Sequence, residues 1–111
     1  MDNVKNDVYY IRKIVTDLQF ILDHTNGITK DEFKSNEVLL DSVMFRLIQV
    51  SENSSRLTDA FKAIYNEIPW TAIKGMRNRI VHEYGEVDLT VIYDTVTGDL
   101  AGIVDILSAL V

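Results

Sequence analysis

Arg77, Asn78, His82 and Tyr84 crowd into one short run, Arg77-Asn78-Arg79-Ile80-Val81-His82-Glu83-Tyr84. An arginine fork neutralises charge that builds on phosphate oxygens, and a histidine takes and returns protons near neutral pH. Held on one helix, the pair suits metal-free chemistry on a phosphate, the arginine binding the charge and the histidine moving the proton. The rest of the chain offers little competing chemistry. It has no cysteine, so disulfides and thiolate metal sites are excluded. Its two histidines, His24 and His82, form no His-x3-His pair, and the acids show no ligand spacing. No metal and no cofactor is expected.

On a helix advancing about 100° per residue, Trp70, Ile73, Ile80 and Val81 fall within roughly 60° of Arg77, and Tyr84 is nearly in line with it. Arg77 thus sits in an apolar arc, with Lys74 and Asn78 at its edge and His82 four residues after Asn78. Arg79 and Glu83 fall on the far side as an exposed i, i+4 pair. A charge in an apolar arc is costly unless paired. Two readings follow: an internal ion pair with an acid such as Glu52 or Asp41, or a cleft in which Arg77 faces a ligand phosphate. The ion pair is the commoner outcome of such a pattern. A single helical histidine like His82 is, by itself, most often a plain surface or core residue. His24 reads as a histidine compensating a helix C-terminus. Tyr9, Tyr10, Tyr65 and Tyr93 read as core or boundary residues and Trp70 as a core anchor.

The elements that must position this run are helical. Val4, Val8, Ile11, Val15, Leu18 and Leu22 recur at steps of four and three, and Tyr10, Ile14 and Ile21 widen the stripe. Thr25-Asn26-Gly27 ends that first helix, with Gly27 as a left-handed C-cap. Asp31 to Lys34 form a short turn, and Ser35 is the expected N-cap of a second long helix carrying Leu40, Val43, Leu47, Val50 and Leu57, with Ser54 as a polar interruption. Thr58 or Asp59 caps a short helix through Tyr65. Pro69 opens the first turn of the helix running from Trp70 to about Tyr84, with Gly85 beyond it. Asp88 caps a short helix to about Val96, and Asp99 caps a last one carrying Leu100, Ile103, Val104, Ile106, Leu107 and Leu110. Short links make consecutive helices antiparallel neighbours. The expected fold is all-α: one domain over 1–111, an antiparallel up-and-down bundle of four main helices plus short extra ones.

With 111 residues, 47% of them hydrophobic, the chain can build one core. The start, Met1-Asp2-Asn3-Val4-Lys5, lacks the basic and apolar run of a signal peptide, and no stretch reaches the roughly 18 apolar residues of a membrane span. A cytoplasmic protein fits this and the missing cysteine. The net charge of −6 argues against a general nucleic-acid coat, which needs many cations on phosphates. Residues 70–84 nevertheless carry Lys74, Arg77, Arg79 and His82 against the single acid Glu83, so a focused basic cleft on an acidic body is open.

The stretch Ile68-Pro69-Trp70-Thr71-Ala72-Ile73-Lys74-Gly75-Met76-Arg77-Asn78-Arg79-Ile80-Val81-His82-Glu83-Tyr84 resembles the signature of the HepT-like branch of the HEPN superfamily. That signature reads Pro-Trp, then Gly-Met-Arg-Asn, then an arginine-x4-histidine-x-tyrosine frame. Val87-Asp88 continue the match. Ile48-Gln49-Val50-Ser51-Glu52 resembles the Ile-Gly-Glu-Ala segment, with Ser51 in place of the glycine and Asn53 in place of the alanine. The resemblance implies a helical homodimer whose two motif helices meet in a cleft and form a composite ribonuclease site. It further implies a toxin of a two-gene, type II toxin–antitoxin module, whose MntA-type nucleotidyltransferase partner attaches AMP to the motif tyrosine, here Tyr84. Arg77 is then the phosphate clamp, His82 the acid–base group, and Asn78 a residue that orients the imidazole or touches phosphate. Lys74 and Arg79 are candidate RNA contacts. Two alternatives stand beside this: a non-catalytic nucleotide-binding or adaptor subunit of a two-component nucleotidyltransferase, and a structural helical dimer with Arg77 paired internally.

Overall fold

In a computed structural model the backbone is described over residues 3–111 and the side chains over 6–111. Val4, the first position of the expected seam, and the reading of residues 1–5 as lacking a leader lie outside the described side chains. Among the described residues seven α-helices follow one another: α1 (Asn3–Thr25), α2 (Lys30–Ser35), α3 (Glu37–Ser54), α4 (Asp59–Ile64), α5 (Trp70–Glu83), α6 (Leu89–Asp94) and α7 (Leu100–Ser108). No strand occurs among the described residues. The fold is the expected all-α bundle: α3 packs against both α1 and α5, and α7 closes on α1.

The first helix buries Ile11, Ile14, Leu18 and Ile21. Val15 and Leu22 only flank this row. The buried row therefore draws Ile11 and Leu18 from the expected seam and Ile14 and Ile21 from the row that widens it, because α3 and α7 cover α1 from two sides. Gly27 takes a φ of 75° just after the helix, a left-handed turn open to glycine at little cost. Tyr9, expected at the core or its boundary, is exposed, whereas Tyr10, Tyr65 and Tyr93 are half-buried.

The start of α3 differs from expectation by one residue, for a clear reason. Asn36 is the N-cap, its side-chain oxygen accepting the Leu39 N–H at 3.0 Å. The Ser35 hydroxyl is spent on the preceding helix, donating to the Glu32 carbonyl at 3.2 Å. Thr29 and Glu32 cap α2 reciprocally, a capping box that satisfies two otherwise orphaned donors. Thr58 caps α4, accepting from Phe61 N. It is itself held by Asp7, which is buried and accepts from the Thr58 N–H at 2.9 Å and its hydroxyl at 2.7 Å.

Asp99 stands at the N-cap position of α7 without capping it. The chain passes from α6 to α7 through a π-turn over Thr95–Asp99. Ile92, Val96 and Leu100 are all buried at successive steps of four. On an ideal α-helix two such steps drift about 80° around the axis. The wider π-turn absorbs that drift and keeps all three on the core. The Thr95 and Thr97 hydroxyls donate to the Val91 and Tyr93 carbonyls at 2.8 and 2.7 Å.

Candidate functional site

The residues singled out in the sequence sit along the seam between α3 and α5. Pro69 stands immediately before α5 and leaves its first turn without a side-chain cap. Trp70 follows, half-buried, its indole N–H donating to the Tyr65 carbonyl at 3.2 Å. Ile80 is fully buried, with Ile73 and Met76 packed against the core beside it. Val81, placed in the apolar arc by the helical projection, is exposed. The buried face of α5 is thus centred on Ile73, Met76 and Ile80, and Arg77 lies on its shoulder rather than at its middle.

That position decides what Arg77 does. Its Nε donates to Glu52 Oε1 at 3.0 Å, and its Nη1 donates to Asn78 Oδ1 at 3.2 Å. The ion pair foreseen with Glu52 exists, but the two side chains are 31% and 47% exposed. A pair so open to water contributes at most about 1 kcal/mol. It orients the guanidinium, and among the described residues it leaves further N–H donors of the fork without a protein partner. Asn78, expected to orient His82 or touch phosphate, instead accepts from Arg77.

One end of the helix departs from the projection. The α-helix stops at Glu83, and Tyr84 opens a 3₁₀ turn over Tyr84–Glu86. The Tyr84 hydroxyl donates to Asp41 on α3. Since Arg77 meets Glu52 and Tyr84 meets Asp41, α3 and α5 run antiparallel, with an acid of α3 opposite each of two motif residues. Partial burial, then the hydrogen bond and charge of Asp41, push the Tyr84 phenol from 10.0 up to about 12.

The remaining candidates are less gathered. His82 is exposed and makes no hydrogen bond or ion pair among the described residues. Lys74 is exposed and lines a cavity with Arg77, Asn78 and Glu52. Arg79 makes no ion pair with Glu83 among the described residues; it lines a separate groove with Glu83, Glu86 and Asp88. His24 behaves as expected at the end of α1, its Nδ1 against the Phe20 carbonyl at 2.7 Å and its ring stacked on Phe20. Two polar groups escaped the sequence reading. Arg46 donates to Asp17 at 2.8 Å while lying over the Phe20 ring, and Asp7 holds Thr58. Neither pairing leaves a local trace, since the partners stand 29 and 51 residues apart. No group of three His, Cys, Asp or Glu among the described residues is placed to hold a metal ion.

Comparison with known proteins fits this architecture. A family model described as ribonuclease HepT-like matches residues 14–110. A Caldanaerobacter subterraneus subsp. tengcongensis protein named as a candidate RNase is 26% identical over 91 residues, 82% of this chain and 81% of its own. A Thermococcus cleftensis protein named a probable ribonuclease HepT is 29% identical over 91 residues, 82% of this chain and 83% of its own. A Methanocaldococcus jannaschii protein, named for both a gamma-glutamylcyclotransferase and a candidate RNase, is 30% identical over 82% of this chain but only 41% of its own length. No solved structure matches significantly. This chain belongs to the ribonuclease HepT-like family of the HEPN superfamily.

Proposed function

We propose that this protein is a metal-independent endoribonuclease, the toxin of a two-gene toxin–antitoxin module, whose site is completed by a second copy of the chain. The observation that carries the reading is the state of Arg77: oriented by Glu52 and Asn78, yet too exposed for that pairing to be its purpose. An arriving RNA phosphate displaces or bridges the Glu52 contact at little cost and takes up the free donors of the fork. The names borne by the relatives support the ribonuclease class.

His82 takes the proton of a 2′-hydroxyl as its oxygen attacks the adjacent phosphorus. The bond from phosphorus to the 5′-oxygen breaks, and a second protonated histidine returns a proton to that oxygen. The products are a 2′,3′-cyclic phosphate and a 5′-hydroxyl end. Arg77 stabilises the charge on the phosphorane oxygens. One chain supplies one histidine on this face, so two copies across a two-fold axis supply both base and acid. An unpartnered apolar surface favours such pairing. Val38 and Phe45 on α3 are 78% and 57% exposed, and Tyr9 on α1, Val81 on α5 and Tyr84 just after it are exposed as well.

Tyr84 is the proposed point of control. A nucleotidyltransferase partner joins AMP to its hydroxyl, placing phosphate charge and bulk on the same seam as Arg77 and competing with RNA. End-group analysis of the cleaved RNA tests the chemistry: cyclic phosphates on wild-type products are expected, and 3′-hydroxyl ends contradict it. Mass spectrometry after incubation with the partner and ATP tests the control. An AMP adduct absent from Tyr84→Phe is expected, and one that persists there sinks the assignment.

A further inference from the structure

Next to Arg77 the seam opens into a cavity of about 310 Å³, lined among others by Ser51, Lys62, Trp70, Lys74 and Arg77. That volume reaches the range of small-ligand sites, roughly 300–1,000 Å³. Three helices build it: the end of α3, the middle of α4 and the first turns of α5. Its charge runs against that of the molecule. Lys62, Lys74 and Arg77 face it with one acid, Glu52, which is already engaged by Arg77. Neither Lys62 nor Lys74 forms an ion pair among the described residues. On a chain of net charge −6, a walled pocket with two uncompensated ammonium groups favours an anion.

The α5 wall of the cavity also carries an aromatic ring. Trp70 is held in place by its bond to the Tyr65 carbonyl and by the Phe61 ring at a centroid distance of 6.2 Å. An indole held beside two unpaired ammonium groups suits a nucleotide, with the base against the ring and the phosphate on the ammonium groups. Ser51, buried in this chain, adds a hydroxyl to the floor.

We infer that this cavity binds one nucleotide of the RNA strand next to the scissile phosphate, with Lys62 as its phosphate anchor and Trp70 as its stacking platform. The inference rests on the ribonuclease reading of Arg77 and His82, and it gives Lys62, on a helix outside the motif, a role in substrate binding. Lys62 lies beyond the reacting atoms in this arrangement, so its loss acts on binding and leaves the chemical step alone.

The chain has a single tryptophan, so Trp70 fluorescence reports the cavity directly. Wild type and Lys62→Gln are titrated with a 2′-O-methyl RNA hexanucleotide, which resists cleavage, and their KM and kcat are measured on cleavable RNA. Expected are a saturable change in Trp70 emission, and in Lys62→Gln a Kd and KM raised about five- to tenfold at a kcat within about twofold. The salt slope of log Kd should shrink by about 0.7, one lost phosphate contact on a single strand. Lys74→Gln, on an exposed position, should act in the same direction, and Lys34→Gln on α2 should match wild type. If RNA binds without moving Trp70 emission, or Lys62→Gln and Lys74→Gln bind as wild type does, the cavity inference fails while the ribonuclease reading stands. If 5′-AMP binds as tightly as the hexanucleotide, the cavity is a mononucleotide site and the strand assignment is overturned. A wild-type protein that neither binds nor cuts RNA removes both.

Discussion

Arg77 gives the sharpest separation between a residue kept for the fold and one kept for chemistry. Its pair with Glu52 is open to water, the side chains being 31% and 47% exposed, so Arg77→Ala should change unfolding free energy by no more than about 1 kcal/mol in urea titrations. The same substitution should lower kcat by about 10²–10³, the loss of a preorganised donor to transition-state charge. A fall of several kcal/mol in stability would instead mark a structural arginine. Tyr84 carries a second residue-scale expectation. Its phenol is pushed up to about 12 by partial burial and by Asp41, so the folded state holds this proton more tightly than the unfolded chain does. The associated stability is complete below pH 10 and is lost as pH rises through 12. Ultraviolet titration should show one late tyrosine that moves back toward its ordinary value in Asp41→Asn. That Arg77, His82 and Tyr84 lie on or just past one short helix was legible in the chain. Their partners were only half legible. Glu52 and Asp41 were both named as possible acids for Arg77, but the 3₁₀ turn after Glu83 swings Tyr84 onto Asp41, and no helical projection contains that turn.

The helices themselves were readable wherever local chemistry sets their ends. Gly27, Thr58 and Asp88 each stand where the structure uses them. Reading failed where a polar side chain had two possible tasks. Ser35 could cap forward or close backward and does the latter, which leaves the cap to Asn36. Asp99 resembles a cap, yet the burial of Ile92, Val96 and Leu100 carries the chain through a π-turn instead. The α1–α4 junction provides the energetic test at this scale. Asp7→Ala leaves the Thr58 N–H and hydroxyl without their acceptor in a part-buried site. The expected cost is about 1–3 kcal/mol, read as a lower urea midpoint at unchanged m-value. Because α4 also carries Lys62, that variant should weaken RNA binding as well, whereas a loss of stability with unaltered binding would show α4 to be uncoupled from the site.

For the molecule as a whole, composition limited the function more than it defined it. A net charge of −6 rules out a broad cationic coat, while the cavity beside Arg77 sets Lys62, Lys74 and Arg77 against the single acid Glu52. The exposed Val38 and Phe45 of α3, with Tyr9 lining a cavity beside Phe45, form the surface a second copy is proposed to cover. Phe45→Asp should therefore shift sedimentation from dimer to monomer and reduce cleavage at least about tenfold, since a lone chain lacks the second histidine. A monomeric variant of full activity would remove the composite site. The inward row Leu40, Val43, Leu47 and Val50 was legible from its spacing, but spacing does not tell whether another element covers Val38 and Phe45 on the remaining face of α3. The measurement that tests the central claim most directly is cleavage of total RNA by the purified protein in EDTA, wild type beside His82→Ala. Cleavage by wild type, reduced about 10²–10⁴-fold in a folded His82→Ala, is the predicted result. Equal cleavage by both proteins, or none by a wild type whose Tyr84 is verified free of AMP, would contradict it.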